Sequence, residues 1–233
     1  MVDLAFVPQA EFDNRWRRTV PLQKKAAQMK QNTSHAVMAQ RFEPKTSLDD
    51  FPTPPWATRA LMTYVLGEED FSNSTCLEPA CGRGYMANPL KEFFGIVEAA
   101  DIHPYGFSET RDFLTYPYEA NSHDWVVTNP PFRMGEQFVE KALKVARVGV
   151  AILARTVFLE SIGRYDRIYR RNPPTIFAQF SERVPMVKGR VDPKASTATG
   201  YAWFVWDKRD CENSKLTWVP PCRKKLERQG DYA

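Results

Sequence analysis

The feature that most constrains the fold is the alternation of short apolar runs with helix-forming stretches between residues 46 and 207. Apolar runs at 74–77, 96–101, 125–128, 148–154, 175–180 and 201–206 have strand length, and 125–128 carries no charge. Helical patterning fills 56–66, 85–94, 136–145 and 158–170. Pro54 and Pro55 open the first helix, where a missing N–H costs little. Strands separated by helices predict an α/β chain with an open, mostly parallel, Rossmann-like sheet, whose ligands bind beyond the carboxyl ends of the strands. The connection 181–200 is rich in Gly, Pro, Ser and Thr and lacks a helical pattern, so the last two strands are expected to pair antiparallel at one edge. Residues 1–45 read as a basic N-terminal arm, 46–207 as the folded domain and 208–233 as a C-terminal tail.

Composition narrows the function classes. At 233 residues and 43% hydrophobic content the chain can bury a sizeable core, which excludes collagen-like or wholly disordered classes. The longest apolar stretch, 148–162, is broken by Arg155 and Glu160, so no membrane span is expected. Asp3, Glu11 and Asp13 stand where a signal peptide has its basic and apolar regions, and cytoplasmic residence is the expectation. The four cysteines form no Cys-x-x-Cys and the three histidines are scattered, so no metal site is predicted and the thiols are expected reduced. The net charge of +4 is small, but its distribution is uneven. Residues 15–30 are basic, and 164–194 hold eight basic side chains against three acidic ones.

Two motifs carry chemistry. In Glu78-Pro79-Ala80-Cys81-Gly82-Arg83-Gly84 a strand feeds a glycine turn that lets a ligand approach the backbone. Gly82-x-Gly84-x-x-Ala87 also fits a dinucleotide fingerprint, with Asp101 near the expected acidic position, so a nucleotide-dependent oxidoreductase stays open on this segment alone. Glu78 at the strand tip would repel a pyrophosphate and attract an ammonium group. Asp101 can accept ribose hydroxyls, Asp112 an adenine amino group, and the Phe113 ring can cover the adenine face. A nucleoside with a charged amino-acid tail answers this description, namely S-adenosylmethionine. The second motif, Asn129-Pro130-Pro131-Phe132, ends a buried strand. The Asn129 side-chain carbonyl and the Pro130 backbone carbonyl can accept both hydrogens of a planar amino group and restore its lone pair, while Phe132 stacks on the flat substrate.

On these residues the chain resembles a class I S-adenosylmethionine-dependent methyltransferase, of the type that methylates adenine N6 in DNA. Phe51-Pro52-Thr53-Pro54-Pro55, then Glu78 to Gly84, then Asn129 to Phe132 are similar to that family's elements in its gamma order. The resemblance implies cofactor contacts from Thr53, Pro54, Glu78, Pro79, Ala80, Gly82, Gly84, Asp101, Ile102, Asp112, Phe113 and Asn129, and catalysis by Asn129, Pro130, Pro131 and Phe132. It implies base flipping and direct in-line methyl transfer, without a metal. Phosphate contacts are expected from Arg164, Arg167, Arg171, Arg183, Lys188, Arg190 and Lys194, within a recognition region at 164–199. The chain departs from sequence-specific members in having too little length after the core for a full target-recognition domain. A specificity partner protein, RNA or a protein glutamine as substrate, and a non-catalytic nucleic-acid binding module therefore stay open. The oligomeric state is not set by the sequence.

Overall fold

In the computed structural model the described residues are 49–67, 69–210 and 214–232. The proposed arm at 1–45 lies outside them. Helix α1 (Pro55–Tyr64) starts on its two prolines and is buried over most of its length. Strand β1 (Thr75–Glu78) leads through the glycine turn to a short α2 (Ala87–Leu90) and then β2 (Ile96–Asp101). A two-residue β3 (Glu109–Thr110) precedes β4 (His123–Thr128), α3 (Gly135–Val145) and β5 (Ala146–Arg155). After an irregular helical segment come β6 (Ile176–Phe180), β7 (Tyr201–Asp207), β8 (Lys215–Val219) and a last turn of helix at Arg223–Leu226.

The eight strands form one sheet in the order β3-β2-β1-β4-β5-β7-β6-β8. The block from β3 to β5 is parallel, and β7 pairs antiparallel with β5 and β6. The antiparallel pairing of the last two predicted strands is thus as expected. What the sequence reading left in a tail, residues 215–219, is a further strand, parallel to β6 at the sheet's edge. Alternation of side chains along the strands divides the core into two layers. Trp125, Val127, Ala151, Leu153, Trp203 and Val205 face α1, whereas Val126, Val150, Ile152, Phe204 and Trp206 face α3.

Two predicted helices are interrupted. In 85–94, Pro89 has no N–H to donate, and only Ala87–Leu90 is regular. In 158–170 a tight turn over Thr156–Leu159 ends at extended Glu160. Ser161 then caps a new start by accepting from the Arg164 backbone, and the chain widens over Tyr165–Tyr169. Among the described residues no helix is long and apolar enough to cross a membrane.

Candidate active site

The order of the parallel block reverses between β1 and β4, which opens a crevice at their carboxyl ends. Glu78 is the last residue of β1, and Asn129 follows the last residue of β4. Thr128 Oγ1 donates to Glu78 Oε1 at 2.9 Å and ties the two strand ends together. Glu78 is 1% exposed, and its Oε2 has no hydrogen-bond partner among the described residues. Burial, with nearby Asp101 adding to it, pushes the Glu78 carboxyl up to about 8, against the hydrogen bonds from Thr128 and the Ala80 backbone.

Beyond β1 the chain turns back through Gly82 (φ +51°) and Gly84 (φ +85°). A side chain on Gly84 would run into the Phe107 ring at 2.2 Å, whereas one on Gly82 would meet no described atom within 4 Å. Gly82 therefore faces open space, and Gly84 is packed. Asp101, at the end of β2, holds this turn: Oδ2 accepts from the Gly82 N–H at 2.8 Å and Oδ1 from the His103 N–H at 2.9 Å. A carboxylate oxygen retains a second lone pair after one such bond. Pro79 is buried, Ala80 half-buried, and Ile102 is 51% exposed beside Asp101.

Asn129 is held from one side. Its Nδ2 donates to the Phe51 carbonyl at 2.9 Å, which leaves Oδ1 buried with no partner among the described residues. The Phe132 N–H donates to Asp49, and the Phe132 ring lies 5.3 Å from that of Phe51. Segment 49–53 and loop 129–132 are therefore fastened to each other. Pro130 is buried and Pro131 half-buried. Thr53 is 3% exposed, and its Oγ1 likewise lacks a partner among the described residues. Three unpaired buried oxygens, on Thr53, Glu78 and Asn129, thus belong to the three segments that the sequence singles out. Such atoms are costly unless something polar meets them.

Some expectations need correction. Phe113 is a core residue, 2% exposed, with its ring 5.0 Å from Phe138 and 5.8 Å from Tyr118, so it offers no free face to an adenine. Asp112 spends its carboxylate on the Leu114 N–H and the Thr115 hydroxyl, each about 3 Å away, in a local turn. Arg164 has partners within the chain: Nη1 donates to the carbonyls of Val157, Phe158 and Glu160, and Nε to Glu136. Arg167 also pairs with Glu136, and Arg190 with Asp192 at 3.2 Å, although both remain more than half exposed. Arg171, Arg183, Lys188 and Lys194 are exposed. Connection 181–200 meets the site's rim, where the Gly189 N–H donates to the Asp50 carbonyl and Arg83 pairs with Asp50 at 3.0 Å.

One residue at the site has no counterpart in the sequence reading. The Arg155 guanidinium lies 4.0 Å from the Phe132 ring centroid. As a charge ending an apolar run, Arg155 carries no signal in the sequence beyond that of a strand terminus.

No protein-family model and no curated protein matches the chain. Solved structures do. A Listeria monocytogenes protein described as a class I S-adenosylmethionine-dependent methyltransferase superposes with a TM-score of 0.52 at 13% identity, over 75% of this chain and 67% of its own. A Vibrio vulnificus protein described as a modification subunit of a type I restriction enzyme gives 0.53 at 14% identity, over 77% of this chain. The chain spans half the length of that subunit. A Pyrococcus horikoshii protein described as an RNA methyltransferase gives 0.51 at 15% identity, over 71% of this chain and 91% of its own. The chain has the Rossmann-like methyltransferase fold.

Proposed function

We propose that the chain transfers a methyl group from S-adenosylmethionine to the N6 amino group of adenine in DNA, with the base flipped out of the duplex. The observation that carries the reading is the Asn129 side chain, whose nitrogen is anchored on the Phe51 carbonyl while its buried Oδ1 has no described partner. An anchored amide cannot turn to hide its oxygen, so Oδ1 is committed to an incoming donor such as an exocyclic amino group. The Pro130 carbonyl takes the second hydrogen, and holding both returns the lone pair to the nitrogen without a strong base.

The residues around the crevice suit the cofactor. Glu78 Oε2 would receive its ammonium, Thr53 Oγ1 its carboxylate, and Asp101 its ribose, while the open side of Gly82 leaves room for close backbone approach. When bound, S-adenosylmethionine would supply a methyl carbon on a sulfonium; transfer leaves a neutral thioether, and the methylated nitrogen sheds one of its protons to water. Exposed Arg171, Arg183, Lys188 and Lys194 are proposed phosphate contacts, with region 164–199 reaching the substrate. The Vibrio relative's description as a restriction-enzyme modification subunit supports DNA as the substrate, and the Pyrococcus relative's description as an RNA methyltransferase supports RNA as the second reading.

The test offers labelled cofactor to unmethylated DNA, total RNA and protein in parallel, with the product nucleoside identified by mass spectrometry. N6-methyladenine in DNA is expected, and label in RNA or protein alone overturns the substrate. Asn129→Ala should lower turnover by about 10²-fold or more and weaken cofactor affinity far less. Loss of both would make Asn129 a purely structural residue.

A further inference from the structure

Phe132 touches two groups, the tilted Phe51 ring with centroids 5.3 Å apart and the Arg155 guanidinium at 4.0 Å from its own centroid. Arg155 is the last residue of β5, and its neighbour in the sheet is Tyr201 of β7. Because Ile152 pairs with Thr128, the end of β5 runs alongside the loop that begins at Asn129. Arg155 Nε is buried, with no hydrogen-bond partner among the described residues. Buried Arg59 and half-buried Arg164 behave differently. Arg59 directs all three of its nitrogens to Glu92, Asp231 and the Leu226 carbonyl. Arg164 spends its donors on Glu136 and three carbonyls. Arginines that serve the fold are bonded here; Arg155 stands beside the reactive loop with a donor unspent.

We propose that Arg155 is a substrate-positioning residue whose Nε donates to a ring-nitrogen acceptor of the base that stacks in this crevice, an inference that rests on the functional reading above. A planar guanidinium already seated on Phe132 offers an in-plane donor and a flat face to a heterocycle. The donor is buried, so it meets a group that enters the crevice rather than a phosphate that stays at the solvent rim. Acceptance by the base removes the desolvation cost that Nε carries alone.

Binding of a short oligo-deoxyadenylate to the full chain, with S-adenosylhomocysteine present, tests this against the same strand carrying abasic sites. Arg155→Ala should weaken binding of the intact strand about tenfold or more and leave the abasic strand and cofactor affinity unchanged. Arg155→Lys, which keeps the charge but loses the plane and Nε, should not restore it. In methyl transfer both variants should raise KM for the nucleic acid more than they lower kcat. Equal weakening for both strands means a phosphate contact, and unchanged binding means a structural role; either overturns the inference. Should Arg155→Ala lose cofactor binding through misfolding, Arg155→Lys decides alone, and full affinity for the intact strand overturns the proposal. A wild-type chain that neither binds nor methylates nucleic acid overturns the functional reading and this inference with it. Wild-type methylation with unaltered variants sinks the inference alone.

Discussion

Glu78 shows how one carboxyl can set the pH behaviour of the site. Its proton is held up to about 8 by burial, with Asp101 contributing and Thr128 opposing. In the unfolded chain it titrates near the ordinary 4.5. The folded state therefore binds more protons between those values, so the stabilising term is full below 4.5 and is lost as pH rises through about 8. Each tenfold change in proton affinity is worth about 1.4 kcal/mol. Urea unfolding of the ligand-free protein should show stability falling across this window, and Glu78→Gln should flatten the slope. A ligand that brings an ammonium to Oε2 favours the ionised carboxylate, so its affinity should rise with pH over the same range. A slope unaltered in Glu78→Gln would assign it to other groups.

Among the elements, the two glycines most open to experiment have opposite jobs. Gly82 sits at φ +51° with open space where a side chain would go, and Gly149 in β5 lies 2.5 Å from the Trp125 ring by the same measure. Gly82→Ala should cost about 1–2 kcal/mol of backbone strain and markedly weaken cofactor binding, because the added methyl enters the cradle. Gly149→Ala should cost about 1–3 kcal/mol through overpacking against a buried indole, and spare cofactor affinity in the variant that remains folded. Denaturation curves paired with cofactor titration separate the two. The elements also explain what could be read in advance. Strands β4 and β5 are buried on both faces and write themselves as apolar runs. Edge strand β8 does not, since Leu216 and Trp218 are about 60% exposed while Lys215 and Thr217 interrupt the run. Likewise Asn129 and Glu78 were legible as residue types at strand ends. Their unpaired oxygens, and the placement of Arg155, depend on contacts between segments distant in sequence.

For the whole molecule, the sheet is completed by late residues and the helix in front of it is clamped by them. Arg59 of α1, 4% exposed, bonds to Glu92 after β1 and to Asp231 and the Leu226 carbonyl near the end. Asp231→Ala should destabilise the protein by about 1–3 kcal/mol, since a buried guanidinium loses a charged acceptor. The Asp231→Ala, Glu92→Ala double variant should cost more than the two single changes together, because only the Leu226 carbonyl then remains. Chemical denaturation of the four proteins measures this coupling, and strict additivity would show that Arg59 finds water or another acceptor instead.

The Arg59 clamp also has a meaning in time. Helix α1 directly follows Thr53 and Pro54, yet one of its charged partners stands 172 residues further along the chain. During synthesis from the amino end, the helix leaves the ribosome long before Asp231 exists, so the wall of the crevice that it supports waits for residues translated much later. A nascent chain holds residues 129–132 and the glycine turn well before it can bring Asp231 to the Arg59 guanidinium, so this clamp closes only after both motifs have been made.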